Sequence, residues 1–345
     1  MAAKILCAET LWFSIHGIGV EYQAATAQMA EPALRLLGMF RRDRLEDSGL
    51  LKIQFEEVES RREIPVTVPS GGRLISSVSG TAIRGGTRHA WGCRVVEDES
   101  RLVADFDRDG CIVIDRALGV AIGYLVRSGE MPSQTIEWYL HFALGELLKL
   151  RGLYTIHATA LERNGRGVLI PGYSGRGKTT SFLSLLRAGY RYLSDDTPWI
   201  RLNAGQVEIL PFPMKVDVTD QTIEFFPELR NAPQGVLHQG VHKKYFNVED
   251  IYPHGMGGCC RPGIILFPQV VEAPKSWLEP MPKSQALKSI LPQTMVVHDP
   301  ELARRQFQVL AKLVQSADCY TLHFGQDVLA LPDLVDSALQ KQSAD

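Results

Sequence analysis

Apolar residues recur at three and four along "MPSQTIEWYLHFALGELLKLRG", where Ile136, Tyr139, Leu140, Ala143, Leu144, Leu147 and Leu148 line one face. With Ser133 ahead of the run, Lys149 in its last turn and Gly152 beyond, this spacing predicts an amphipathic helix. A second helical pattern with a charged face lies in "EPALRLLGMFRRDRLEDSGLL", in the otherwise less legible first 50 residues. Between about 50 and 127 the pattern changes to short β-rich runs broken by Gly, Ser and Asp turns, such as "RLVADFDRDGCIVI" and "GVAIGYLV". That alternation predicts an antiparallel or mixed sheet. A domain boundary near 130 follows, with a β-rich α+β recognition or assembly domain at 1–130 and a second domain at 131–345.

In the second part, "LYTIHATALERNGRGVLIPG" reads as two strands joined by Asn164-Gly165, a pair suited to a type I′ turn because both residues tolerate positive φ. "TTSFLSLLRAG" is a short helix closed by Gly189, and "YRYLSDDTPWIRL" a strand, a polar end and another strand. Strands at "VEILPF", "PGIILFP" and "CYTLHFG" and helices at "KSQALKSIL", after Asp299-Pro300, and at "PDLVDSALQK" complete the pattern.

The chemistry concentrates where the second hairpin strand ends. Gly172-Tyr173-Ser174-Gly175-Arg176-Gly177-Lys178-Thr179 satisfies G-x-x-x-x-G-K-[ST], and Thr180 follows at the start of a helix. Glycines let consecutive amides curl around a polyphosphate, and the helix N-terminus adds partial positive charge. Lys178 supplies a full charge to the β and γ phosphates, and Thr179 can place its hydroxyl on Mg²⁺. One short helix and one strand later stand Asp195 and Asp196, at a strand's carboxyl end where a metal or an acceptor proton can be met.

"GYSGRGKTTSFLSLLRAGYRYLSDD" resembles the nucleotide site of the HPr kinase/phosphorylase-like family, whose fold is related to ATP-dependent phosphoenolpyruvate carboxykinase. The shared features are the loop, the short helix, an "hRLhsDD"-like strand and a histidine on the strand before the loop, here His157. The resemblance covers roughly 150 to 330 and is strong from 157 to 196. It implies an α/β, PEP carboxykinase-like P-loop nucleotide domain behind a β-rich N-terminal domain. It also implies ATP- and Mg²⁺-dependent transfer of the γ-phosphate to a serine or other hydroxyl on a protein, peptide or small molecule. In that reading Asp195 is the base, Lys178 and His157 act beside it, residues Gly172 to Thr180 hold the phosphates, and Thr179 and Asp196 face the metal. A homo-oligomer is the assembly the family admits. A non-catalytic ATP-binding scaffold is the alternative.

The chain also departs from the family. No acidic "EIRGxG" segment follows, Tyr173 stands where the enzymes usually carry Glu, and Thr180 replaces the common Ser-Glu continuation. These differences point away from HPr itself and toward the divergent branch that includes kinases of ribosomal peptide precursors.

Other motifs are weaker. "DFDRDG" at 105–110 begins like a calcium loop, but Arg116 occupies the position needing a bidentate Glu, so a hairpin turn is expected. "HQGVH" lacks the acidic partner of a zinc helix. Arg176 at the loop and Lys215, Lys243, Lys244 and Arg261 are candidate cationic contacts to phosphate or acceptor, with Arg261 in a glycine-rich segment able to close over substrate.

Composition changes this picture little. A formal charge of -2 gives no general pull toward nucleic acid or anionic membrane. Six cysteines without a CxxC pair, no apolar run of membrane-spanning length and no signal-like start make the cytoplasm the expected location.

Overall fold

The computed structural model describes residues 9–45, 49–69, 71–84, 87–98, 101–173, 175–232, 234–238, 241–253, 255–294 and 299–341, with no account of side chains at 80–91, 233–243 and 341. The chain is mixed α/β with several sheets and divides into two compact units, Met1–Arg151 and Gly152–Asp345.

The first unit is built on one sheet. Its elements are β1 (Glu9–Ile15), β2 (Ile18–Ala24), α1 (Ala27–Leu37), β3 (Arg41–Arg42), β4 (Leu51–Val58), β5 (Arg73–Arg84), β6 (Thr87–Asp98), β7 (Arg101–Asp105), β8 (Gly110–Asp115), β9 (Val120–Val126) and α2 (Ser133–Lys149). The nine strands lie in the order β3-β1-β2-β4-β9-β8-β7-β6-β5, parallel only at β2–β4 and β4–β9. Alternate residues Phe13 and Ile15, Val20 and Tyr22, and Leu51, Ile53 and Phe55 are buried, as a half-covered sheet requires. The helical pattern read at 31–51 is shorter in the structure and begins earlier. Thr26 caps α1 through the Met29 amide, and the helix stops at Leu37, where Gly38 opens a single 3₁₀ turn into β3. "DFDRDG" is the β7–β8 hairpin turn, closed by the Phe106 amide on the Gly110 carbonyl at 2.9 Å.

Helix α2 matches its predicted span but not its predicted domain. Its apolar face lies on β4, β8 and β9 and against α1, and its Tyr139 hydroxyl donates to Asp109 Oδ2 at 3.0 Å. The boundary between units therefore falls after Arg151, not near 130. A helix is assigned by what buries its stripe, and spacing along the chain does not reveal that.

The second unit contains β10 (Tyr154–Thr155), β11 (Ala158–Arg163), β12 (Arg166–Pro171), α3 (Lys178–Arg187), β13 (Arg191–Ser194), β14 (Trp199–Asn203), β15 (Gln206–Leu210), β16 (Val216–Val218), α4 (Asp220–Phe225), β17 (Gln234–His238), β18 (Val241–Phe246), α5 (Val248–Ile251), β19 (Arg261–Val270), β20 (Trp277–Pro280), α6 (Lys283–Ile290), α7 (Pro300–Ser316), β21 (Asp318–Phe324) and α8 (Leu331–Lys341). A six-stranded sheet, β13-β11-β12-β19-β21-β20, is flanked by small sheets β10-β14-β15 and β16-β18-β17. One core joins Leu161, Val168, Ile170 and Leu266 to Phe182, Leu183 and Leu186 of α3 and Leu331 and Val335 of α8. The other face joins Ala158, Ala160, Leu169 and Ile265 to Ile290 of α6, Leu310 and Leu313 of α7, and Ile200 of β14. The near-continuous burial of β12, which runs parallel to β19, reflects cover on both faces. Local signals hold here: Asn164 and Gly165 take φ 54° and 76° at the β11–β12 turn, and the Asp299 carboxylate accepts from the Leu302 amide at 2.8 Å, with Pro300 at the first helical position of α7.

Candidate functional site

Three strand ends meet at one edge of the six-stranded sheet. Strands β12 and β13 both run antiparallel to β11, so their carboxyl ends and the amino end of β11 share that edge. The chain leaves β12 at Pro171, rounds Gly172 (φ 152°), Gly175 (φ 81°) and Gly177 (φ 86°), and enters α3 at Lys178. Only glycine takes such left-handed values without strain. A Cβ on Gly177 would also stand 3.1 Å from Phe324 Cδ1, so the loop is pressed onto the ends of its neighbouring strands.

Within the loop Tyr173 is exposed, Arg176 is an exposed tip, and Ser174 lies outside the described residues. Thr179 and Thr180 are half-buried in the first turn of α3. Lys178 is buried: its Nζ donates to the Gly172 carbonyl and lies 3.1 Å from His157 Nε2. That same nitrogen of His157 is 3.1 Å from Asp196 Oδ1, so one ring nitrogen is within reach of both the ammonium and the exposed carboxylate.

His157 reaches this place because the strand read through "LYTIHATALER" is broken. Tyr154 and Thr155 pair with Ile200 and Trp199 in the small sheet, whereas Ala158 opens β11 in the large one. At the crossing the His157 amide donates to the Gln293 carbonyl at 2.6 Å, and the Ala158 amide to the Asp196 carbonyl at 3.0 Å.

Asp195 is placed by a bulge. Ala160 pairs with Ser194 and Leu161 with Tyr192, which leaves Leu193 as the extra residue, and such a bulge re-aims the strand's end. The Thr159 hydroxyl lies 2.9 Å from the Asp195 carbonyl and 3.2 Å from its Oδ1. Burial, with the charge of Asp196 beside it, pushes the Asp195 carboxyl up to about 7, against the opposing pull of the Thr159 hydroxyl and Lys178. Asp217, on β16, adds to the rise.

The residue that sequence reading missed is Tyr192, which looks like one more apolar position of β13. Its phenol is fully buried; it receives the amides of Asp195 at 3.2 Å and Met214 at 3.0 Å and lies 2.8 Å from the Met214 carbonyl, to which it donates. One hydroxyl thus ties the aspartate turn to the segment that enters β16. The only advance signal is a tyrosine three positions before the acid, in a short strand that otherwise reads as Arg-Leu-Ser.

Of the other candidate cations, Lys215, Lys244 and Arg261 make their described contacts elsewhere. The Lys215 ammonium sits over the Tyr245 ring at 4.4 Å, and Lys244 donates to the Arg230 carbonyl at 2.9 Å. For Lys243 only the backbone, in β18, is described, and the "HQGVH" histidines fall on hairpin strands β17 and β18 with their side chains outside the description. Arg261 opens β19 opposite Arg166, at the end of β12 remote from the loop. It does not close over a substrate, because its glycine-rich approach is itself held. The Gly257 amide donates to Tyr192, and Ile209 and Cys260 exchange backbone hydrogen bonds.

Curated proteins match part of the chain. Over 78 residues it is 37% identical to the HPr kinase/phosphorylase of Caldanaerobacter subterraneus subsp. tengcongensis and 35% identical to that of Streptococcus thermophilus. The chain is HPr-kinase-like, and divergent. The match takes in 23% of the chain and spans 25% and 23% of those relatives, about a quarter of their length. No family model matches this HPr-kinase-like chain. Among solved structures, the Hpr(Ser) kinase/phosphatase from Coxiella burnetii aligns over 55% of it and 96% of that chain, at 14% identity and a TM-score of 0.28.

Proposed function

We propose that Gly152–Asp345 is a PEP carboxykinase-like, HPr-kinase-type nucleotide domain that transfers the γ-phosphate of ATP to a serine or other hydroxyl of a protein, peptide or small molecule. The observation that carries this reading is the meeting of Lys178, His157, Asp196 and Asp195 at the edge where the glycine loop leaves β12. The loop suits a polyphosphate: its glycines adopt the left-handed conformations that a tight phosphate-cradling turn requires, and α3 begins directly behind them.

In transfer, Asp195 takes the proton of the acceptor hydroxyl as that oxygen bonds to the terminal phosphorus. The bond from phosphorus to the bridging oxygen breaks, and Lys178 and the loop amides hold the charge left on the departing ADP. A carboxyl at about 7 holds a proton firmly enough to be a useful base near neutrality. Tyr192 and Thr159 fix its orientation.

Among the described residues no three His, Cys, Asp or Glu side chains form a metal-holding group. Thr179 and Asp196 offer oxygen donors, which fits a hard cation completing its shell with phosphates and water. Bound Mg²⁺ would supply neutralisation of the phosphate charge. No described helix is long and apolar enough to cross a membrane. An ATP-fed compartment, the cytoplasm, is where we place this activity.

The test is incubation of the purified chain with γ-labelled ATP and lysate of its source cells, alongside Asp195→Asn. A labelled acceptor that appears with the wild type and not with the variant supports the kinase. Tight ATP binding with no labelled product supports the scaffold reading instead.

A further inference from the structure

If the phosphates lie in the loop with the terminal one toward Asp195, the nucleoside has one direction left. Asp195 follows β13, on the β11 side of β12; on the other side the same edge is formed by the carboxyl ends of β19 and β21 and the amino end of β20. Val270 ends β19 and is 58% exposed. Its Cγ2 lies 3.4 Å from where a Gly177 Cβ would stand, so this strand end adjoins the loop.

Next along the edge is an aromatic pair. Trp277 and His323 are directly opposite each other in β20 and β21, and their rings stack with centroids 4.4 Å apart and planes 10° off parallel. Glu279 Oε2 lies 2.8 Å from His323 Nε2 and steadies the imidazole. One indole face is therefore covered, yet Trp277 remains 44% exposed.

The turn that presents it is built to stay put. Asp327 Oδ1 accepts from the Ser276 amide at 2.7 Å and its hydroxyl at 2.6 Å, and the Gly325 amide donates to Ser276 Oγ at 2.9 Å. This network locks the turns before β20 and after β21 together. This tryptophan offers a flat, braced surface at the same sheet edge as the phosphate loop.

We propose that Trp277, backed by His323, is the shelf on which the nucleobase of the bound triphosphate stacks. The inference rests on the phosphate-loop reading above. Stacking of this kind tolerates any base, so GTP should use the shelf as ATP does.

The test is calorimetric titration of the full chain with ATP, GTP and inorganic tripolyphosphate, each with Mg²⁺. Trp277→Ala is expected to weaken both nucleotides about 10-fold or more and to leave tripolyphosphate within about twofold, while Trp277→Phe keeps nucleotide binding within about threefold. Lys178→Ala should lose all three ligands. If Trp277→Ala leaves the nucleotides unchanged, or weakens tripolyphosphate equally, the shelf is overturned and the phosphate loop stands. A wild-type chain that binds none of the three removes the loop reading and the shelf with it.

Discussion

The two edges of the six-stranded sheet use their charged residues oppositely. At the hairpin edge Arg163 lies 3.2 Å from Asp336 and over the Tyr190 ring, Arg191 lies 3.5 Å from Glu162, and Arg166 donates to the Leu339 carbonyl. The cleft there, about 430 Å³, is lined by Glu162, Arg163 and Arg191, the turn Asn164-Gly165, and Ala188-Gly189. At the loop edge two carboxylates stand side by side, and desolvation and the neighbouring charge raise the pKa of the half-buried one against the pull of Thr159 and Lys178. Charge that is matched locally stabilises a fold modestly; charge held in tension is where chemistry is to be sought.

Several measurements would break or sharpen this contrast. Asp195→Asn should lower phosphoryl transfer by about 10² to 10⁴-fold, the range of a lost general base, with ATP binding retained by titration. The pH profile should follow the same group. Because the folded carboxyl is raised from 3.8 to about 7, it is protonated and idle below that value, so kcat/KM should fall about tenfold per unit as pH drops from 7 to 5 and level off above 7. The linked stability has the opposite sense: the buried charge destabilises the fold as pH rises from 3.8 through about 7. Asp195→Asn should therefore raise Tm at pH 8 and not at pH 3.5.

Tyr192→Phe keeps the ring and strands two buried amides and a carbonyl. Transfer should drop about tenfold, through kcat more than KM, with a loss of roughly 2 kcal/mol by chemical denaturation. Gly177→Ala forces a side chain into φ 86° against Phe324 and should cost about 1–2 kcal/mol in the same assay. Arg191→Ala, at the hairpin edge, should change ATP affinity less than about twofold, since it breaks only an ion pair at the far edge of the sheet, between an exposed arginine and Glu162. A large effect there would undo the contrast between the edges.

Legibility in the sequence followed the range of the forces involved. The loop glycines, the Asn164-Gly165 turn and the Asp299-Pro300 cap are decided within a few residues, and each stands where its pattern places it. The break at His157, the Leu193 bulge and the Tyr192 hydroxyl depend on partners distant in the chain: Gln293, Ala160 and Met214. Arg261 looked like a substrate clamp until strand register carried it to the remote end of β12. The Trp277–His323 stack likewise needs β20 and β21 aligned before either ring means anything.

By itself, then, the sequence determined that a glycine-lined turn ends in a lysine at a helix start, with two acids one strand later, because backbone conformation and hydrophobic period are local properties. Tertiary structure alone decided that these groups share an edge, that α2 belongs to the first unit, and that one of the two acids is buried enough to hold a proton near neutrality. Strand pairing and desolvation act between residues far apart in the chain, and only the folded chain brings those residues together.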